Sequence, residues 1–349
     1  GLIEEVASNV PRLDYSDGGC PSLLLEPAST NLMTYSEDFS DASWVKLGVG
    51  TGSAAIVTSD YTISPDGTQN ASRLQCDLNG GLTSSGNQSL IYDTISGSGD
   101  TSGFIYVKSN TSSSQNFYLA NSLNDFVIGV ATTEWKKFEL NWVAGGAGRS
   151  LSMGTRGTSN SDDVLDLLIW GAQVEENSYS TSYIKTVGTA QSRSADTANG
   201  AGNASTFNDS EGVLMAEISA LVNIGSFENI SLSNGSSASR VFLFYRNSLN
   251  LMEFRVTVNN SIQMVFQHTI ADAKTSNKFA IKYKENDFAI WINGIEVHTD
   301  PDGITFGSFP LTNLSLDNGQ VSAPTSPLYG STKQIQYFDS ALNDSDLET

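Results

Sequence analysis

Short apolar segments separated by turn-forming residues recur along almost the whole sequence. Residues 103–108, 116–120 and 278–283 are examples, and they are rich in the β-branched and aromatic side chains that favour strands. Gly, Ser, Asn and Asp fill the intervals, and no long stretch keeps its apolar residues at helical spacing. The sequence therefore predicts an all-β protein of the sandwich or jelly-roll type.

The strand-like segments form two groups, at 37–190 and 207–349, with residues 191–206 between them. The intervening stretch is almost wholly small and polar, as expected of a linker. Residues 1–36 contain one short apolar run, at 23–25, which is too little for a core. We therefore expect an extended N-terminal arm, lying along a neighbouring part of the chain, followed by two tandem antiparallel β-sandwiches. A length of 349 residues agrees with two domains.

The formal net charge of −20 comes from 38 acidic and 18 basic residues that are spread along the chain. The sequence lacks a basic block that could neutralise phosphates, so nucleic acid is not an expected partner. The same acidity disfavours an anionic polymer as a substrate. No apolar run approaches the roughly 18 residues of a membrane-spanning helix, so membrane insertion is not expected either.

Two groups of short motifs stand out near the ends of the first strand-rich region. The first group comprises Pro11-Arg12-Leu13-Asp14-Tyr15, Leu23-Leu24-Leu25-Glu26-Pro27, Thr30-Asn31-Leu32, Ser36-Glu37-Asp38-Phe39 and Trp44. The second group comprises Trp170-Gly171-Ala172-Gln173-Val174-Glu175, Thr181-Ser182-Tyr183-Ile184 and Arg193-Ser194-Ala195-Asp196. Together these motifs resemble segments of tail, fibre and head-appendage proteins of tailed bacteriophages.

The resemblance implies a type for each sandwich. It implies a jelly roll similar to carbohydrate-binding modules at 37–190, and a sandwich similar to laminin-G or concanavalin A-like lectin domains at 207–349. The hairpin motif Asn293-Gly294 matches the second type. The resemblance also implies a place on the virion surface, outside the cell after release, with other virion proteins and bacterial surface glycans as partners. Homotrimers are common among such appendages.

Carbohydrate binding would use exposed aromatic rings, which stack on sugars, beside amides and carboxylates that bind hydroxyl groups. The candidate residues are Trp44, in a polar segment near a strand start, Tyr61, in a predicted loop, and Tyr118. For Trp44 the alternative is packing at the edge of the sandwich. For Tyr61 both roles are equally open. Tyr118 is available only if its neighbour Phe117 points inward, because adjacent strand residues face opposite sides.

A structural Ca²⁺ would need hard oxygen ligands from a loop. Asp300 and Asp302, in Asp-Pro-Asp-Gly, are the candidate metal ligands, although Asp-Gly pairs also form plain turns. No other cofactor is expected. The two cysteines, Cys20 and Cys76, are too few for a disulfide framework or a four-thiolate zinc site. Either a single bridge or two free thiols fits the sequence.

Residues that could carry catalysis are poorly represented. Glycoside hydrolases on concanavalin-like sandwiches align their acids on one strand as Glu-x-Asp-x-x-Glu. The nearest approach here is at 285–290, where Ile290 replaces the last acid. The only histidines, His268 and His298, are not near a nucleophile elbow. We therefore predict that the protein is not an enzyme.

These features predict a non-catalytic virion appendage, of the tail-fibre or head-fibre type, that binds host-surface glycans as an adhesin. Copies on the particle would raise a weak single-site affinity by avidity. One alternative is a purely structural decoration or assembly protein of the virion. A less favoured alternative is a polysaccharide depolymerase, which would need paired carboxylates in a groove.

Overall fold

The structure, a computed structural model, describes residues 3–15, 19–95, 99–121, 125–142, 149–223 and 228–348. The chain divides into two compact units, each made of two stretches of sequence. The first unit comprises Gly1–Glu5 and Ala28–Ser194, and the second comprises Val6–Pro27 and Ala195–Thr349. Among the described residues, no helix has the length and apolar character that crossing a bilayer requires.

The regular structure of the described residues is almost entirely β, with one short helix, α1 (Asp344–Leu347). The strands up to residue 194 are β1 (Leu13–Asp14), β2 (Ser22–Leu25), β3 (Ser29–Asn31), β4 (Val45–Val49), β5 (Ile56–Thr62), β6 (Ala71–Asp77), β7 (Gln88–Ile95), β8 (Thr101–Ser109), β9 (Gln115–Ala120), β10 (Phe126–Ala131), β11 (Lys136–Trp142), β12 (Arg149–Arg156), β13 (Val164–Glu175) and β14 (Gln191–Arg193). The later strands are β15 (Glu211–Ala220), β16 (Asn229–Ser233), β17 (Arg240–Tyr245), β18 (Leu251–Val258), β19 (Ser261–Thr269), β20 (Asn277–Lys284), β21 (Phe288–Ile292), β22 (Ile295–Asp300), β23 (Asn313–Ser315) and β24 (Gly330–Phe338).

The first unit is a sandwich of two antiparallel five-stranded sheets. Their strand orders are β10-β9-β12-β7-β4 and β11-β8-β13-β6-β5. Alternate side chains point between the sheets, so that Phe117 and Leu119 of β9 share a core with Leu167 and Ile169 of β13, all at 0% exposure. The short strands β3 and β14 form a separate antiparallel pair in the same unit.

The second unit packs a seven-stranded sheet, β1-β2-β24-β15-β20-β21-β22, against a five-stranded sheet, β19-β18-β17-β16-β23. Leu214 and Ile281 from the larger sheet meet Leu243 from the smaller one in a continuous apolar core. The predicted turn at Asn293 and Gly294 joins β21 to β22. Both residues have positive φ, at 51° and 78°, as a two-residue hairpin turn of this kind requires.

The all-β class and the two antiparallel sandwiches are confirmed, but the structure places the boundaries differently. The predicted arm at 1–36 is divided, because β2 pairs with β24 in the second unit whereas β3 pairs with β14 in the first. The predicted linker at 191–206 is paired too, through β14 and through a bridge from Ala201 to Leu314. These segments bury few apolar side chains, so the hydrophobic pattern gave no sign that they pair.

Candidate ligand-binding site

The outward face of the five-stranded sheet in the second unit carries the candidate site. On β17, Val241 and Leu243 point into the core. The alternation of a strand therefore places Arg240, Phe242 and Phe244 on the opposite, outward face.

Strand register then brings residues from the neighbouring strands beside these side chains. On one side, β18 places Arg255 opposite Phe242 and Glu253 opposite Phe244. On the other side, β16 places Asn229 opposite Phe244. Antiparallel pairing sets directly opposed side chains close together, so one surface combines aromatic, cationic and amide groups.

Arginine side chains cover the two phenylalanine rings. The rings of Phe242 and Phe244 stack with centroids 5.2 Å apart and an interplanar angle of 12°. The Cζ atoms of Arg240 and Arg255 lie 4.0 and 5.5 Å from the Phe242 centroid, and that of Arg246 lies 5.9 Å from the Phe244 centroid. Such cation–π contacts contribute about 0.5–2 kcal/mol each. The rings are only 3% and 6% exposed, so guanidinium groups form much of the accessible surface.

A buried carboxylate orders two of these arginines. Glu253 is 0% exposed and accepts hydrogen bonds from both Arg246 and Arg255. Gln267 Nε2 donates to the same carboxylate at 2.6 Å. Charge-assisted bonds from several donors make burial of the carboxylate tolerable and fix the guanidinium groups that it contacts.

The loop between β23 and β24 forms a wall beside the sheet. Asn229 Nδ2 donates to the Ser326 carbonyl oxygen at 3.0 Å, and Arg240 Nη1 donates to the Asn318 carbonyl oxygen at 2.6 Å. Between sheet and wall lies an open cavity of about 290 Å³. The polar groups that line it include Arg240, Arg246, Arg255, Asn318, Gln320 and Thr325.

The charge of Arg240 is incompletely compensated. This side chain forms no ion pair with any carboxylate in the described part of the chain. Burial, together with the nearby charge of Arg255, lowers the pKa of Arg240 below its usual value. The Nε atoms of both arginines are buried without a hydrogen-bond partner among the described residues. The cavity therefore holds cationic donors whose hydrogen-bonding capacity is not used up.

Trp44, the first predicted sugar-binding residue, lies in the core of the first unit. Its side chain is 1% exposed, its Nε1 donates to the Tyr35 carbonyl oxygen at 2.9 Å, and its ring centroid lies 4.9 Å from that of Phe39. The expectation of a binding role is corrected here, because no face of the indole is open to a ligand. Trp44 therefore has a packing role in the sandwich, which was the alternative to sugar binding.

Tyr118 points outward, since its neighbour Phe117 faces the core. Its ring is nevertheless only 1% exposed, because Phe126 packs at 5.0 Å between centroids and the guanidinium of Arg156 lies 5.8 Å away. This too is a correction, because a sugar cannot reach the ring in this arrangement. The ring of Tyr118 points away from the core, but the side chains of Phe126 and Arg156 cover it.

Tyr61 is the one predicted aromatic candidate that keeps substantial exposure, at 43%. It lies in strand β5 and not in a loop, and the guanidinium of Arg73 stands 5.2 Å from its ring centroid. Its role in binding stays a prediction. The structure does not bring Trp44, Tyr61 and Tyr118 together into one site, and none of them lines the cavity of the second unit.

Asp300 and Asp302 lie where β22 ends. Asp300 Oδ1 accepts a hydrogen bond from the backbone N–H of Asp302 at 3.1 Å, which is the contact of an ordinary Asx turn. Within the described ranges, no three Asp, Glu, His or Cys side chains are grouped to hold a metal ion. Ca²⁺ binding at these aspartates stays a prediction. Cys20 and Cys76 are both free thiols, and burial raises the pKa of Cys76 to about 12.

The motifs that resemble phage appendage proteins have packing roles. In the first unit, Glu175 accepts hydrogen bonds from the Ser29 hydroxyl group and, at 2.7 Å, from the Thr181 backbone N–H. Gln173 Oε1 accepts from the Ile184 backbone N–H at 2.6 Å. These contacts attach β3 and residues 181–184 to β13. The motif residues of the first unit therefore hold these segments together, and no motif residue of either unit lines the cavity.

The residues of the cavity are not among the predicted binding residues, because the predicted aromatic candidates are Trp and Tyr, whereas the aromatic rings of the cavity are phenylalanines. A signal was present, since residues 240–246 read Arg-Val-Phe-Leu-Phe-Tyr-Arg. Alternation along a strand places Arg240, Phe242, Phe244 and Arg246 on one face, which is an unusual set for a solvent-facing surface. The loop at 317–326 could not have been added, because its approach depends on the fold.

No family model and no curated protein matches this sequence. Among solved structures, the chain is similar to Ruminococcus gnavus IT-sialidase CBM40, at 16% identity and a TM-score of 0.36, over 43% of this chain and 92% of that one. It is also similar to laminin α1 domains LG4-5 of mouse (9% identity, TM-score 0.27, 84% and 90% of the two chains). A third similar structure is the CBM22-1–CBM22-2 tandem of Paenibacillus barcinonensis Xyn10C, at 12% identity and a TM-score of 0.29, over 90% of this chain and 99% of that one. At such low scores the fold assignment stands on the strand pairing and not on these similarities.

Proposed function

We propose that this chain is a non-catalytic glycan-binding protein, and that the cavity on the outward face of the second unit is its ligand site. The observation that carries the proposal is the convergence of three guanidinium groups with Asn318, Gln320 and Thr325 around one depression. Sugar hydroxyl groups both donate and accept hydrogen bonds, so amide, hydroxyl and guanidinium groups are suitable partners. A volume of about 290 Å³ lies at the lower end of the range found for small-molecule sites, so we propose that a small part of a glycan binds there.

The absence of catalysis is part of the proposal. Glycosidases generally need two carboxyl groups on either side of the scissile bond. No described residue that lines the cavity carries a carboxylate, and Glu253, which neighbours the lining residues on the same sheet face, is paired with two arginines. The acids of the broken hydrolase motif lie at the turn between β20 and β21, where Asp287 pairs with Lys282 at 3.0 Å.

The proposal includes a place on the surface of a tailed-phage particle, where the protein binds host glycans as an adhesin. The support for this part is the resemblance of the motifs around Asn31 and Trp170 to phage appendage proteins. A homotrimer, or a larger number of copies on one particle, would raise a weak single-site affinity through avidity.

A structural role in the virion is the second candidate. The edge strand β10 favours it, because Phe126, Val127 and Val130 are 40%, 41% and 47% exposed there. Exposed apolar residues on an edge strand are suited to contact with another protein. A decoration or assembly protein would use this edge and would need no ligand in the cavity.

The test is to incubate the purified full chain with surface polysaccharides from candidate hosts, reading both retention and the release of reducing or unsaturated sugar ends. We expect retention without release. Gln320→Ala should weaken retention severalfold, because the residue lines the cavity, and Tyr61→Ala tests the competing predicted site in the first unit. Released ends would contradict the non-catalytic proposal. Retention that is lost with Tyr61→Ala alone would move the site to the first unit.

A further inference from the structure

The cavity has the opposite charge to the chain that surrounds it. Residues 201–349 contain three arginines, and all three line this one cavity. Arg246 and Arg255 share one buried carboxylate, that of Glu253, and Arg240 contacts no carboxylate that the structure describes, so the positive charges at the cavity exceed the negative charge. In a chain with a net charge of −20, a cluster of positive charges at one cavity indicates that a negatively charged group binds there.

The arrangement of the guanidinium groups leaves donors available. Glu253 pairs with Arg246 and Arg255, whereas Arg240 donates to a backbone carbonyl and has no ion pair within the described part of the chain. Buried Nε atoms of Arg240 and Arg255 lack hydrogen-bond partners among the described residues. An oxyanion bound in the cavity beside these two side chains would accept hydrogen bonds from their guanidinium groups and screen the repulsion between their charges.

We infer that the glycan bound by this cavity carries an acidic group, a carboxylate or a sulfate, which contacts Arg240 and Arg255. The inference rests on the proposed function and specifies its ligand class. The loop side chains of Asn318, Gln320 and Thr325 would bind the hydroxyl groups of the same sugar. The ligand is an isolated acidic sugar in a mostly neutral glycan, because the charge of the whole chain repels a polyanion. Local geometry therefore favours a single acidic sugar, although the net charge of the chain disfavours an anionic polymer.

The test is a glycan array probed with the full chain, on which every uronate-, nonulosonate- or sulfate-bearing glycan is paired with its neutral parent. Arg240→Gln is the informative variant, because Arg240 has no ion pair whose loss would leave Glu253 unpaired. Lys274→Gln is the matched control, since it removes the same charge from an exposed loop of the same unit. We expect acidic members to be retained over their neutral parents, and Arg240→Gln to weaken their binding about ten- to a hundredfold while Lys274→Gln does not. The carboxylate and sulfate arms show which acid is preferred.

Equal retention of acidic and neutral members, with no effect of Arg240→Gln, would overturn the inference and leave the proposed function intact. Retention of acidic members that Lys274→Gln reduces as much as Arg240→Gln would also overturn it, because binding would then depend on general charge. An array without any bound glycan, acidic or neutral, would contradict the proposed function itself. Hydrogen exchange of β17 in the Arg240→Gln variant checks that the sheet remains folded.

Discussion

Glu228 places a carboxyl group in the interior of the second unit, where burial changes its pKa. The residue is 4% exposed, and its Oε2 has no hydrogen-bond partner among the described residues. Burial raises the pKa of Glu228 to about 8. The nearby hydroxyl of Tyr245 is buried without a partner too, and its pKa is raised, chiefly by burial. At neutral pH the folded protein therefore keeps this carboxyl group protonated, whereas the unfolded chain ionises it.

The sign of the resulting pH dependence follows from proton binding. Between the ordinary pKa of a glutamate, near 4.5, and about 8, the folded state binds the extra proton, so stability falls as pH rises. The loss is about 1.4 kcal/mol for each unit by which the two pKa values differ. Glu228→Gln should remove this loss, and its stability relative to the parent should be greater at pH 8 than at pH 5. The free energy of unfolding of both proteins is measured at the two pH values by urea titration, with hydrogen exchange in β16 and β17 as the probe. Glu285→Gln, at an exposed turn, is the control, and parallel pH curves for the parent and Glu228→Gln would contradict the prediction.

At the scale of elements, Asn31 connects β3 to the end of β13. Its Nδ2 donates to the carbonyl oxygens of Ala172 and Ile184 at 3.1 and 2.8 Å. Its Oδ1 accepts from the backbone N–H groups of Met33 and Val174, both at 3.1 Å. The residue is 0% exposed, so its truncation would leave buried backbone groups unpaired.

We therefore expect Asn31→Ala to destabilise the first unit by about 2–4 kcal/mol. Gln191→Ala is the matched control, because Gln191 lies directly opposite Asn31 in the β3–β14 pair but is exposed, and its side chain donates to Thr189. Its expected effect is within about 0.5 kcal/mol. The measurement is the free energy of unfolding from urea titration, with tryptophan fluorescence as the probe. Equal effects of the two variants would show that the asparagine does not hold the strands together.

Sequence reasoning found the strands whose apolar residues alternate or cluster, such as β8, β13 and β20. It missed β7, β12 and β16, which mix Ser, Thr, Gly and Asn with their apolar residues. These strands lie inside their sheets, where strand pairing on both sides compensates for weak propensity. Tertiary context is also the reason for the error at Tyr118. Its outward orientation was predictable from alternation, but its covering by Phe126 from the next strand was not.

At the scale of the whole molecule, two separate stretches of chain build the second unit, and residues 6–27 are the first of them. Arg12 joins the two stretches, because its guanidinium pairs with Glu26 at 2.6 Å and with Asp196. The backbone N–H of Glu26 also donates to Asp196 Oδ2, at 2.7 Å. The side chain of Glu26 is 5% exposed, so loss of the arginine would leave two carboxylates facing each other in a poorly solvated place. This cluster explains why a segment with few apolar residues is fixed to the sheet.

Arg12→Ala should therefore destabilise the second unit by about 1.5–3 kcal/mol without changing the first. The measurement is hydrogen exchange in the full chain, comparing β2 and β24 with β8 and β13. The reciprocal variant is Arg73→Ala, which breaks the pair with Asp166 in the first unit, where the two groups lie 2.6 Å apart. It should accelerate exchange in β6 and β13 and leave β2 and β24 protected. If Arg12→Ala left β2 and β24 as protected as in the parent, the Arg12 cluster would not be what fixes residues 6–27 to the second sandwich.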